Sequence, residues 1–154
     1  GVLSQAIARH EVPPGLVELE ITESALMQRQ DITLSRLQQI HETGVRLSID
    51  DFGTGYSSLA YLKRMPIQVI KIDQTFVASL QTSVPDSLIV QSTIALAHSF
   101  DLEVVAEGVE DETTLAILKD FGCDIAQGYY IGRPMSPAQL KTWSYEPAQE
   151  ELPV

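Results

Sequence analysis

Short apolar runs with a period of two alternate along this chain with longer stretches of helical period. The short runs are LVELEIT at 16–22, VRLSIDD at 45–51, VIKID at 69–73, EVVAEGV at 103–109 and IAQGYYI at 125–131. Side chains alternate between faces along a strand, and these runs are rich in β-branched residues, so each reads as a β-strand. After the first, Leu34, Leu37 and Ile40 recur on one helical face behind Asp31, a cap residue, and Gly44 supplies a left-handed stop. Asp86 precedes a helix with Val90, Ile94 and Ala97 on its inner side. Asp111 opens another, with Leu115 and Leu118 inward and Gly122 as terminator, and Ser136-Pro137 starts a last one. A short helix is predicted from Ser57 to Lys63, before Pro66, and the opening VLSQAIARH reads as the end of a helix.

Strands separated by helices predict an α/β fold with a parallel sheet. Five such units are visible. A closed (β/α)₈ barrel uses eight strands and typically about 250 residues, so five units make either an open sheet or a barrel that lacks about 100 residues upstream.

Composition narrows this picture. The chain has 154 residues, 44% of them hydrophobic, enough for a core and for one domain or a large piece of one. No run approaches the roughly 20 apolar residues that cross a bilayer, and no signal-peptide pattern opens the chain, which predicts a cytoplasmic segment whose parent is free to carry a membrane anchor elsewhere. The net charge of −11 argues against a nucleic-acid polymer as partner. An acidic protein still binds phosphate when its carboxylates first hold a divalent cation. Cys123 is the only cysteine and reads as a small buried thiol, while His10, His41 and His98 lack ligand spacing. Residues 145–154, acidic and Pro-containing, are expected to be disordered, leaving 1–144 as the folded part.

The candidate chemistry lies in charges where strands normally carry apolar residues. Glu20 in VELEIT points inward with Glu18 and Thr22, opposite Leu19 and Ile21. Taken alone it is better explained by a solvated face or an ion pair. The second strand, however, ends in Asp50-Asp51 and the fourth carries Glu107. Four carboxylates at the C-terminal end of one sheet repel unless a cation joins them, and hard oxygen ligands suit Mg²⁺ or Mn²⁺. Two such ions about 3.5 to 4 Å apart activate water against a phosphodiester. Lys71 is either an ion-pair partner of Asp73 or Glu107, or an ammonium that orients or deprotonates the water or stabilises phosphate charge. In FGTGYSSL, Gly53 and Gly55 permit backbone close to a ligand, and Thr54 offers a hydroxyl. Gln127 either bonds a metal-bound water or base edge, or satisfies backbone.

In order, ELEITES, SIDDFGTGYSSLAYL, IKID, VVAEGVE and AQGYYIGRPM resemble the EAL-domain family from Leu16 to Met135. The resemblance implies the C-terminal part of a TIM-like barrel and metal-dependent hydrolysis of cyclic di-GMP to linear pGpG. It implies metal ligation by Glu20, Asp50 and Asp51, with two Mg²⁺ or Mn²⁺ ions. Lys71 acts on the water or phosphate, Glu107 supports the metal site and Lys71, and Gln127 lines the site. Glu23 holds the DFGTGYSSL loop, with Gly53, Thr54 and Gly55 stabilising it. A homodimer and an upstream sensory or diguanylate-cyclase (GGDEF) domain are also implied. The EAL tripeptide itself is absent. Its Glu and a downstream Asn, both ligands in the family, belong before Gly1, so the isolated chain is expected to be inactive and to expose unpaired strand edges. The rival expectation is an inactive EAL-type cyclic di-GMP receptor, against which the intact DDFGTGYSSL counts.

Overall fold

The structure, a computed structural model, describes residues 2–27, 30–53 and 59–144, with the backbone alone at 27 and 30–33. The Asp31 cap, Thr54, Gly55, the start of the short helix at Ser57 and the 145–154 tail lie outside what is described.

Helix α1 (Val2–His10) precedes β1 (Glu18–Thr22), which leads through α2 (Glu23–Met27) and α3 (Gln30–His41) to β2 (Arg46–Phe52). Helix α4 (Leu59–Leu62) connects to β3 (Val69–Ile72), and α5 (Gln74–Ala78) and α6 (Val84–His98) to β4 (Glu103–Ala106). Helix α7 (Glu112–Asp120) leads to β5 (Ile125–Ala126), and α8 (Pro137–Leu140) follows. The five strands pair in chain order, all parallel. A doubly wound sheet reverses its order part-way; this unbroken order is the winding of a barrel.

One face of the sheet carries Leu47, Ile49, Ile70, Ile72, Val104 and Ala106, packed with Leu37 of α3, Val90, Ile94 and Ala97 of α6, and Leu118 of α7. Fully burying each of the larger of these side chains contributes roughly 1.5–3 kcal/mol before the cost of ordering them. The alternate positions Glu20, Ser48, Asp50, Lys71 and Val105 share the other face, so the period of two that builds the core also gathers the charges.

Several boundaries differ from those read along the chain. The fifth strand is two residues long, because the chain turns at Gly128, whose carbonyl accepts from both Ile131 and Gly132 N–H. The fourth ends at Ala106, where Gly108 (φ +73°) redirects the backbone. Helix α6 starts before Asp86: Ser83 is the cap, its hydroxyl accepting from Asp86 N–H, and the Asp86 carboxylate accepts from Ser79 Oγ at 2.6 Å. Asp111 caps α7 and Ser136 closes a capping box with Gln139 over α8. Among the described residues no helix is long and apolar enough to cross a membrane.

Candidate active site

Parallel strands in sequence place their C-terminal ends together, and the inward charges meet there. Lys71 Nζ lies 2.5 Å from Glu20 Oε1, 2.7 Å from Glu107 Oε1 and 3.5 Å from Asp50 Oδ1, drawing on β1, β2, β3 and the end of β4. Its side chain is 6% exposed. Burial works against the ammonium, yet hydrogen bonds to Glu107 and Glu20 and the charges of Glu107 and Asp50 outweigh it and push its pKa above the ordinary lysine value. Lys71 therefore stands among these acids as a cation. Asp73, the other partner weighed for it, instead accepts from Thr75 N–H at 2.8 Å and caps α5.

The two aspartates reach this cluster through a break in the sheet. Ile49 pairs with Ile70 and Phe52 with Ile72, so Asp50 and Asp51 together stand opposite the single residue Lys71. This is a β-bulge, uncommon between parallel strands, and Asp51 takes its left-handed turn at φ +55°. In a regular strand the two carboxylates would point to opposite faces. Here burial, then repulsion from Asp50, then the hydrogen bond and charge of Asp73 push the Asp51 pKa up, with Lys71 opposing. Asp73 moves down: burial would raise it, but the donors of Thr75 and the hydrogen bond with Asp51 prevail.

Glu23, at the start of α2, is 2% exposed, and its Oε2 accepts from Gly53 N–H at 3.1 Å, tying the backbone two residues after the aspartates to the end of β1. Gln127 and Glu107 line one cavity of about 320 Å³ with Gln74, Glu110 and Tyr129. The Arg133 guanidinium lies 4.6 Å from the Tyr129 ring centroid at its rim. Away from the cluster, His98 bonds Asp124 at 2.9 Å, and Cys123 has its thiol pushed up by burial. Gln74 at the start of α5, Glu110 and Tyr129 carried no signal in sequence, since an amide, acid or aromatic at such positions is commonplace.

For a divalent cation, the donor chemistry fits. The buried Asp50 Oδ1 has no hydrogen-bond partner, its nearest cation standing at the long 3.5 Å of an ion pair, and Asp51 is crowded by two other acids. Among the described residues, however, no three or more acids, histidines or cysteines are spaced to close around one ion. Lys71 does part of the neutralising that a metal alone was expected to do.

The sequence pattern of the EAL domain matches residues 2–134. This chain belongs to the EAL domain family. The EAL chain is 49% identical over 125 residues to the cyclic di-GMP phosphodiesterase NbdA of Pseudomonas aeruginosa, covering 81% of the chain and 16% of NbdA. It is 46% identical over 135 residues to MucR of the same organism, a bifunctional diguanylate cyclase/cyclic di-GMP phosphodiesterase, covering 88% of the chain and 20% of MucR. It thus spans a fifth or less of the length of these curated relatives. A solved complex of the MucR phosphodiesterase with c-di-GMP superposes with a TM-score of 0.86 over 88% of the EAL chain and 55% of its own. BlrP1 of Klebsiella pneumoniae, solved with manganese and c-di-GMP, is 32% identical with a TM-score of 0.81, covering 87% of the EAL chain and 34% of its own. The solved relatives are TIM barrels, and the five-stranded sheet is part of one.

Proposed function

We propose that residues 1–144 form the C-terminal part of an EAL domain whose parent protein hydrolyses cyclic di-GMP. Water adds across one P–O3′ bond, leaving a 5′-phosphate and a free 3′-hydroxyl on linear pGpG. The observation that carries this reading is the bulge that stands Asp50 and Asp51 together opposite Lys71, with Asp50 Oδ1 buried and without a hydrogen-bond partner. An arrangement that leaves an acid unsatisfied and a residue strained is costly in a purely structural sheet and reasonable where a ligand completes it.

Glu20, Asp50 and Asp51 would hold Mg²⁺ or Mn²⁺, two ions in the full domain, with the remaining ligands supplied by upstream strands. A bound ion of this kind acidifies a coordinated water and polarises the phosphoryl oxygen. Lys71, fixed by three acids, offers positive charge to the phosphate. Glu107 orients Lys71 from the far side, and Gln127 lines the adjoining cavity. Glu23 keeps Gly53, where the DFGTGYSSL loop begins, registered on β1. A homodimer and an upstream sensory or GGDEF domain belong to the same reading, as does a cytoplasmic site of action. MucR, which combines both activities, is a relative of that kind.

One observation favours the alternative of a receptor that binds cyclic di-GMP without cutting it: the acids described are engaged by Lys71 and form no three-ligand group. The two readings separate in one assay. The chain joined to its upstream strands is incubated with cyclic di-GMP and Mg²⁺ or Mn²⁺. Linear product that stops on chelation supports the enzyme; tight binding with no product supports the receptor.

A further inference from the structure

The loops after β3, β4 and β5 carry Asp73, Glu107 and Gln127, and they meet through backbone at two glycines. Gly108 turns at φ +73°, and a Cβ there would stand 2.6 Å from Gln74 Cβ and 3.3 Å from Gln74 Cα. A Cβ on Gly128 would stand 2.2 Å from the Val109 carbonyl oxygen and 2.3 Å from its nitrogen, distances side-chain carbons essentially never adopt. The second contact is the sharper, because the opposing atoms are main chain and no rotamer change moves them. Nor does Gly128 have a left-handed backbone, so space is the reason for glycine there. The same backbones are laced together: Val109 N–H donates to Gln127 O at 3.0 Å, Tyr130 N–H to Val109 O at 3.0 Å, and Gln127 N–H to Ala106 O at 2.9 Å. Glu107 N–H donates to Ile72 O at 3.2 Å, closing the row toward Lys71.

We propose that Gly108 and Gly128 are positioning residues of the hydrolytic site: by letting the segment after β4 pack closely on Gln74 at the start of α5 and on the backbone after β5, they set how far Glu107 reaches toward Lys71 and where Gln127 stands in the shared cavity. The proposal rests on the phosphodiesterase reading. Both glycines line the shared cavity, but in this role they act on the neighbouring loops and not on substrate. Each acts by the thickness that a methyl group would add.

The test uses the protein that includes the upstream strands, assayed for cyclic di-GMP hydrolysis well below its melting midpoint. Displacing a reacting group by about 1 Å costs on the order of 100-fold, so Gly128→Ala is expected to lower kcat by about that factor with KM changed little. Gly132→Ala, four residues on, would meet only the Trp143 ring at 3.3 Å and should alter kcat by no more than about twofold. Gly108→Ala is expected to lose roughly tenfold by a smaller displacement of the same kind. Gly108→Ala combined with Gln74→Gly removes the clash with the Gln74 Cβ but not the strain of a side chain at φ +73°, so it should regain part of that loss, measured against Gln74→Gly alone. That recovery keeps the proposal testable even where Gly128→Ala does not fold. Wild-type kcat in folded Gly128→Ala, a loss confined to KM, or no recovery in the Gly108/Gln74 pair would overturn it. A wild-type protein with no turnover would instead sink the phosphodiesterase reading, and this proposal with it.

Discussion

Two clusters of opposite charge share one face of the same sheet, one at each end of its strands. At the N-terminal end Arg46 of β2 meets Glu18 of β1 at 3.7 Å and Glu103 of β4. At the C-terminal end Lys71 meets Glu20, Asp50 and Glu107. The inventories are alike: one cation and two or three carboxylates from neighbouring strands. Their surroundings differ. The Arg46, Glu18 and Glu103 side chains are 38%, 32% and 50% exposed, so water screens them and their attraction is worth little. The Lys71 side chain is 6% exposed and those of Asp50 and Glu107 are 23% and 20% exposed, with only Glu20, at 51%, as open as Glu103; Lys71 stands opposite a bulge, and one oxygen of Asp50 lacks a hydrogen bond. Charge count alone therefore does not mark a site; burial, backbone strain and an unmet hydrogen bond together do.

The comparison can be broken by removing each cation in turn. Lys71→Met leaves three acids facing one another in a partly buried setting, and urea unfolding should record a loss of about 3 kcal/mol. Next comes the tether of the acid loop. Glu23→Ala strips the acceptor from Gly53 N–H at a buried position and should cost about 2 kcal/mol, whereas Glu23→Gln, which keeps an acceptor, should lose less than half of that. Arg46→Met should cost no more than about 1 kcal/mol, because its pairs are solvated. A loss equal to that of Lys71→Met would erase the distinction between the two ends.

The smallest effect concerns acids away from both clusters. Hydrogen bonds from Ser79 and Ser83 lower the Asp86 pKa, those from Thr114 chiefly lower that of Asp111, and Asp124, though raised by burial, is brought down by His98 and Val104. A carboxylate whose folded pKa lies below its unfolded value stabilises the fold above the unfolded value, about 3.9, and loses that contribution as pH falls through the folded one. Urea midpoints should thus fall between pH 5 and pH 3, and Asp111→Asn should flatten that slope. A slope unchanged by the substitution would remove Asp111 from the account.

Much of the fold was legible because burial imposes periods. Val90, Ile94 and Ala97 are buried as their spacing predicts, and Asp111 and Ser136 cap the helices they precede. The inward set of acids was legible for the same reason. What the period of two could not reveal is its own interruption: nothing in SIDDF announces a bulge, yet the bulge is what stands both Asp50 and Asp51 opposite Lys71. Lys71 was recognisable as misplaced, but its partners depended on register, which set Glu20 and Asp50 beside it and left Asp73 to cap a helix. The fifth strand was overextended because IAQGYYI has strand composition, while Gly128 packs so closely on Val109 that the chain must turn.

The most direct measurement of the central claim is hydrolysis of cyclic di-GMP by the protein with its upstream strands, with Mg²⁺ or Mn²⁺ present, comparing wild type, Asp50→Asn and Arg46→Met by chromatography of the linear product. The account predicts metal-dependent product from wild type and Arg46→Met and none from Asp50→Asn. Equal turnover by wild type and Asp50→Asn, or tight binding without product in all three, would contradict it.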